Sequence, residues 1–173
     1  MRSNKRYTNI GFTKRVDHEA GRHHTARAPR EPAVCKSCGA VYMSRRWTAA
    51  NADRGTREPE HWRPARMTTC PACKQKQSGS PGGYVHVEGA FVITHRDEIE
   101  QLLRNEAERA SEDNPLGCIM DWKGDGESKF TLTTTTEHLA QRLGHALEKA
   151  YGGTVNYDFS HENKLARVKW FRN

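Results

Sequence analysis

The sequence predicts an α+β chain: a cysteine-built ribbon, then a small antiparallel sheet with two helices, all preceded by an extended basic tail. Three observations predict it. Cys35-Lys36-Ser37-Cys38-Gly39 is answered by Cys70-Pro71-Ala72-Cys73. Beyond residue 81, apolar residues alternate in short runs and then recur at helical spacing. Residues 1–34 show almost no apolar periodicity and carry arginines throughout.

The tail, residues 1–34, spreads Arg2, Lys5, Arg6, Lys14, Arg15, Arg22, Arg27 and Arg30 through Asn, Thr, Gly and Pro. It has too little apolar surface to offset its ordering entropy, so alone it is expected to be disordered. Arg-rich segments of this kind order along RNA phosphates, with Arg15 and Arg22 as candidate contacts. A solvated tail without a fixed partner is the plain alternative. His18, His23 and His24 have no rigid frame that would make them a metal site.

Two Cys-x-x-Cys pairs are the pattern of a structural zinc site. Each knuckle turns the chain so that two sulfurs converge on one metal, and neighbouring amides donate to those sulfurs. Gly39 suits the positive φ that such a turn often needs. Cys35, Cys38, Cys70 and Cys73 are therefore the expected ligands of one structural Zn2+, closing a tetrahedral shell with no open position. The 31 residues between Cys38 and Cys70 exceed the ribbon spacing of about 15–20. An inserted loop explains the excess. The predicted fold becomes a zinc ribbon over 35–80, with Val41-Tyr42-Met43 as an outgoing strand. Arg45-Arg46-Trp47 and Trp62-Arg63 with Arg66 interleave guanidinium and indole in the insertion, which suits phosphate pairing and base stacking together. Either Trp is equally able to fill a small core. Ser78-Gly79-Ser80-Pro81-Gly82-Gly83 marks a boundary.

Residues 81–173 form the expected α+β domain. Residues 84–95 alternate around Val85, Val87, Phe91 and Ile93 and predict extended structure, with Gly89 as a break. Ile99, Leu102, Leu103, Ala107 and Ala110 predict a helix over 97–111. Strands follow at 118–122 and 129–134, joined by a Gly-Asp-Gly turn. Thr134 with Glu137 reads as a capping box. The helix behind it carries Leu139, Leu143, Ala146, Leu147 and Ala150 and stops at Gly152-Gly153. Val155, Tyr157 and Phe159, then Ala166, Val168 and Trp170, predict two closing strands. The order is a leading helix, then β-β-α-β-β, with helices on one face of an antiparallel sheet. Cys118 reads as a small buried hydrophobe.

Charge and missing motifs narrow the function. The net charge is +7. Residues 1–80 hold 17 Lys/Arg against 6 Asp/Glu, and residues 81–173 hold 11 against 15. A basic half points to a polyanionic partner. No run approaches the ~18 apolar residues of a membrane span, and the Arg-rich start lacks the apolar core of a secretory signal, so none is expected. Cysteines paired in knuckles fit a reducing compartment, so the cytoplasm is expected. No phosphate-binding loop, G-x-S-x-G elbow or H-E-x-x-H helix appears. Asp121, Asp125 and Glu127 are explained by a hairpin turn, and His138 and His145 as surface histidines. The expectation is a protein without enzymatic activity.

The knuckles Cys35-Lys36-Ser37-Cys38-Gly39 and Cys70-Pro71-Ala72-Cys73, followed by a short α+β region, resemble the Nmd-three family. Members are export or late-maturation adaptors of the large ribosomal subunit with N-terminal Cys-x-x-Cys zinc modules. Thr133-Thr134-Thr135-Thr136-Glu137-His138-Leu139-Ala140 and Arg167-Val168-Lys169-Trp170-Phe171-Arg172 resemble small bacterial proteins grouped with that family. The larger relatives carry more Cys-x-x-Cys pairs and further domains, so export does not carry over. What the resemblance implies is association with ribosomal RNA or a ribosomal subunit, with ribosomal proteins as further contacts. A maturation or dormancy (hibernation) factor is expected, with neither a membrane nor a small-molecule substrate as partner. The competing expectation is a zinc-ribbon adaptor that recruits a polypeptide.

Overall fold

The computed structural model describes residues 28–49, 66–160 and 165–173. Of the expected tail over 1–34, residues 1–27, with Arg15 and Arg22, lie outside the described residues, as do Trp62 and Arg63. Its end is corrected: Ala33 and Val34 belong to a strand that leads into Cys35.

The elements run β1 (Ala33–Cys35), β2 (Val41–Met43), β3 (Arg46–Thr48), β4 (Arg66–Thr68), α1 (Pro71–Ser78), β5 (Gly83–Glu88), α2 (Ala90–Asp113), β6 (Ile119–Gly124), β7 (Lys129–Thr134), α3 (Glu137–Tyr151), β8 (Thr154–Ser160) and β9 (Leu165–Phe171). The described strands form two sheets. The small one has the order β3-β2-β1-β4 and the large one β6-β7-β5-β9-β8. The result is a mixed α+β architecture. It holds one more helix than the sequence pattern suggested.

That extra helix is α1. Pro71 stands at its first position, where a missing N–H costs nothing, and the Cys70 sulfur accepts from the Cys73 amide. Gly79 ends it at φ 61°. With only eight residues, its apolar pattern is too short to announce it.

In the large sheet β5 is the central strand. It pairs antiparallel with β7 and parallel with β9. The hairpins β6–β7 and β8–β9 flank it on either side. The expected all-antiparallel sheet is thus corrected to a mixed one. Local alternation specifies a strand but not its neighbour, and β5 finds partners more than forty residues away in Leu132 and Val168.

The second correction concerns residues 90–95. Phe91 and Ile93 lie in α2 and not in an extended strand. Gly89, at φ 126°, turns the chain from strand into helix. α2 kinks at His95, which has φ −121° and ψ 18°. Its Nδ1 lies 3.1 Å from the Phe91 carbonyl and its ring stacks on Phe91 at 3.8 Å. A side chain occupying that carbonyl competes with the helical ladder. From Asp97 onward the expected stripe holds: Ile99, Leu103 and Ala110 are buried, and Leu102 and Ala107 pack beside them.

α3 starts two residues later than a Thr134 cap would have it. Thr136 is the N-cap, and its Oγ1 accepts from the Leu139 amide at 3.2 Å. Thr134 instead donates to the Thr136 carbonyl at 2.8 Å. Leu139, Leu143 and Leu147 face the core as expected. Ala150 is exposed, and Ala140 and Gly144 complete the buried stripe. A Cβ on Gly144 would meet Val168 Cγ1 at 2.5 Å, so its absence lets α3 lie close on β9. α2 packs on α3, and both helices share one face of the sheet. Val85, Val87, Leu132, Phe130, Val168 and Trp170 fill the space beneath them, each worth roughly 1.5–3 kcal/mol of burial. The Trp170 indole donates to the Gly152 carbonyl at 2.7 Å.

Candidate metal centre and its basic hairpin

Parallel pairing of β1 with β4 brings the two knuckles together. It matches Ala33 with Arg66 and Cys35 with Thr68, and the Lys36 amide donates to the Thr68 carbonyl at 2.8 Å. Cys70 then arrives beside Cys35 despite the long gap in sequence. In the first knuckle the Cys35 amide donates to the Ala40 carbonyl and the Gly39 amide to the Cys35 carbonyl. Gly39 has φ 75°. The second knuckle is the start of α1, so one pair of sulfurs rides on a hairpin and the other on a helix end.

The four sulfurs lie within 4.8 Å of one another, with Cys38 and Cys70 separated by 3.6 Å. A tetrahedral zinc with Zn–S bonds of about 2.3 Å needs sulfurs about 3.8 Å apart. The dimensions fit one zinc. Cys35 Sγ accepts from the Cys70 amide at 3.3 Å and Cys70 Sγ from the Cys73 amide at 3.4 Å. Such donors orient thiolates and spread their charge. Burial opposes charge on Cys35, yet the amides of Cys70, Cys38 and Ser37 outweigh it and bring that thiol down to about 6. Burial pushes the Cys70 thiol strongly up, and the Cys73 thiol up to about 11. A divalent cation removes this conflict among crowded sulfurs. The four cysteines are arranged as a single tetrathiolate site, consistent with one zinc.

The module leans on the large domain. Cys35, Ala40, Cys70, Ala72 and Leu116 form one buried cluster, with Trp47, Cys73 and Cys118 packed against it. Gln75 is buried, and its Nε2 donates to the Thr135 carbonyl at 2.9 Å. Cys118 is half-buried on this seam, with its amide 2.9 Å from Thr135 Oγ1. Gln75 and Thr135 carried no signal in the sequence, because only the docking of two modules gives them a role.

The expected nucleic-acid contacts divide. Arg45, Arg46 and Arg66 are exposed. Trp47 is half-buried, 5.2 Å from Tyr42 in a tilted ring pair, and fills the small core. Ser44 and Arg45 form the two-residue tip of the β2–β3 hairpin with φ 51° and 62°. Non-glycine residues rarely adopt such angles. The Glu31 carboxylate accepts from both tip amides, at 3.0 and 2.7 Å, and holds the turn. His145 lies 3.0 Å from the Tyr157 hydroxyl and His138 beside Glu137. No helix among the described residues is long and apolar enough to cross a membrane. No family model matches this chain, nor does any curated protein or solved structure.

Proposed function

We propose that this is a non-enzymatic, cytoplasmic zinc protein that binds ribosomal RNA and acts on a ribosomal functional surface in maturation or dormancy. The observation that carries the reading is the hairpin tip. Arg45 stands in a turn that costs backbone strain and is held by Glu31, with the exposed Arg46 beside it at the start of β3, on a module built around four thiolates. Strain maintained at an exposed cationic tip fits a contact element better than a passive loop. Arg66, exposed on β4, and the charge surplus of the first eighty residues extend the same polyanion-seeking surface. The zinc here supplies structure.

Gradient co-sedimentation of tagged protein from growing and starved cells tests this. Co-migration with one subunit or with whole ribosomes that weakens with salt is expected. The growth state with most co-migration separates maturation from dormancy. Replacing Arg45 and Arg46 with glutamine should flatten the salt dependence of RNA affinity by about one to two phosphate equivalents. Protein that stays at the top of every gradient at low salt would sink the ribosomal reading. An adaptor role is the second reading, favoured by Met43 and Met67, exposed at 46% and 63% on the small sheet. Soft methionine surfaces suit polypeptide docking. It predicts saturable binding to a protein in nuclease-treated lysate.

A further inference from the structure

The large sheet has its two long helices on one face. On the other face Lys123, Glu88, Arg167, Lys169 and Asn156 are exposed, Tyr84, His86 and Thr131 half-buried, and Thr133 buried. Register places side chains there in rows across all five strands. One row reads Lys123, Thr131, His86, Lys169 and Asn156. The adjacent row sets Tyr84 between Thr133 and Arg167. Tyr84 and His86 thus stand side by side on the central strand. Their rings are nearly parallel, 4° apart in plane with centroids at 6.2 Å, and both are only half-buried.

We infer that this open face binds single-stranded RNA, with Tyr84 and His86 as the base-stacking platform and Lys123, Arg167 and Lys169 as the phosphate contacts. The inference rests on the RNA-binding reading above and adds a second contact surface to it.

The chemistry favours this occupant. The His86 row carries two lysines and no carboxylate. Among the described residues no ion pair holds Lys123, Lys169 or Arg167. Burial lowers the His86 pKa, and Lys169 and Arg167 press it further down against the pull of Glu88 and Asp125. His86 Nδ1 lies 2.9 Å from Thr131 Oγ1, which fixes the ring's attitude. Aromatic rings exposed on a sheet stack unpaired bases whatever their identity, while flanking cations follow the backbone. Duplex bases are already stacked and offer no free face, so single strands fit this platform. The carboxylates of this face stand outside the His86 row. Asp121 and Asp158 end the Tyr84 row on the two outermost strands, Asp158 opposite Arg167, and Glu88 follows His86 on β5 opposite Lys129 and Phe171. Phe171, 47% exposed, is the one large hydrophobic residue that this face leaves open among the described residues. A polypeptide interface would want a more apolar centre.

The test uses full-length zinc-loaded protein and a fluorescent oligouridylate, with a duplex RNA of equal length beside it. Ultraviolet crosslinking followed by peptide mapping should place the single strand on 83–88 and 165–171. Tyr84→Leu should weaken anisotropy-detected binding about tenfold. The triple variant Lys123→Gln, Arg167→Gln, Lys169→Gln should lower the salt slope by about 2. Both variants should keep the wild-type circular dichroism. Crosslinks confined to 28–49 and 66–78, with only Arg45→Gln/Arg46→Gln weakening the complex, would overturn this inference and leave the RNA-binding reading standing. Equal affinity for duplex and single strand would overturn it also. No binding to either RNA would remove both readings together.

Discussion

At Cys70 two roles meet in one side chain. Its sulfur caps the first turn of α1 and joins the other three at the metal site. Metal-free protein must hold protons there, because burial raises Cys70 and brings Cys73 to about 11, while Cys35 falls to about 6. Through the neutral range Cys35 is therefore already thiolate, and Cys70 and Cys73 are protonated. Zinc uptake must expel at least those two protons. Its log affinity should then climb by at least about 2 per pH unit between about pH 6.5 and 7.5, as read by competition with a coloured chelator. A flat profile would show that these sulfurs are not the ligands. Cys-x-x-Cys spacing alone identified the four residues. Of the amides that stabilise Cys35, those of Ser37 and Cys38 belong to its own knuckle, whereas that of Cys70 comes from across the fold and had no local signature.

Among elements, the β5–α2 junction shows how one residue redirects a chain. The alternation of Val85 and Val87 continues numerically into Phe91 and Ile93, which is why the strand reads on. Gly89 stops it at φ 126°, and a Cβ there would run into the backbone carbonyl of Arg172. Phe91 then packs under the Arg172 guanidinium at 3.9 Å and against Trp170. Gly89→Ala should destabilise the protein by about 3 kcal/mol, from backbone strain and overpacking together. The urea midpoint measures it; an unchanged midpoint would refute this account of the junction. The cap of α3 teaches a related lesson. Four consecutive threonines precede Glu137, so more than one frame satisfies a cap. β7 pairing of Thr134 with Gly83 and Ile119 decides for Thr136.

For the whole molecule, the large domain has its own core, whereas the small sheet has strands of three residues and little apolar cover. Such a module depends on its metal. Chelation should expose residues 28–49 and 66–80 to proteolysis while 83–173 stay resistant and most helical signal survives. Loss of the whole far-ultraviolet spectrum would mean that the two parts fold as one unit. The Gln75–Thr135 hydrogen bond and Leu116 in the cysteine-side cluster tie the parts together. Removing zinc should therefore also lower the melting temperature of the large domain by a few degrees, roughly 1 kcal/mol of lost contact.

The sequence by itself determined the α+β class, the four sulfurs, the closing strands and most of both long helices. These follow from spacing and periodicity, which act over a few residues. Only the tertiary structure decided that β5 sits at the centre of a mixed sheet, that the second knuckle opens a helix, and that Trp47 belongs to a core. It also decided that Tyr84 and His86 share an open face with Lys123 and Lys169. Pairing across forty residues or more depends on which partner satisfies a strand's backbone groups and covers its apolar side. No local pattern carries that choice.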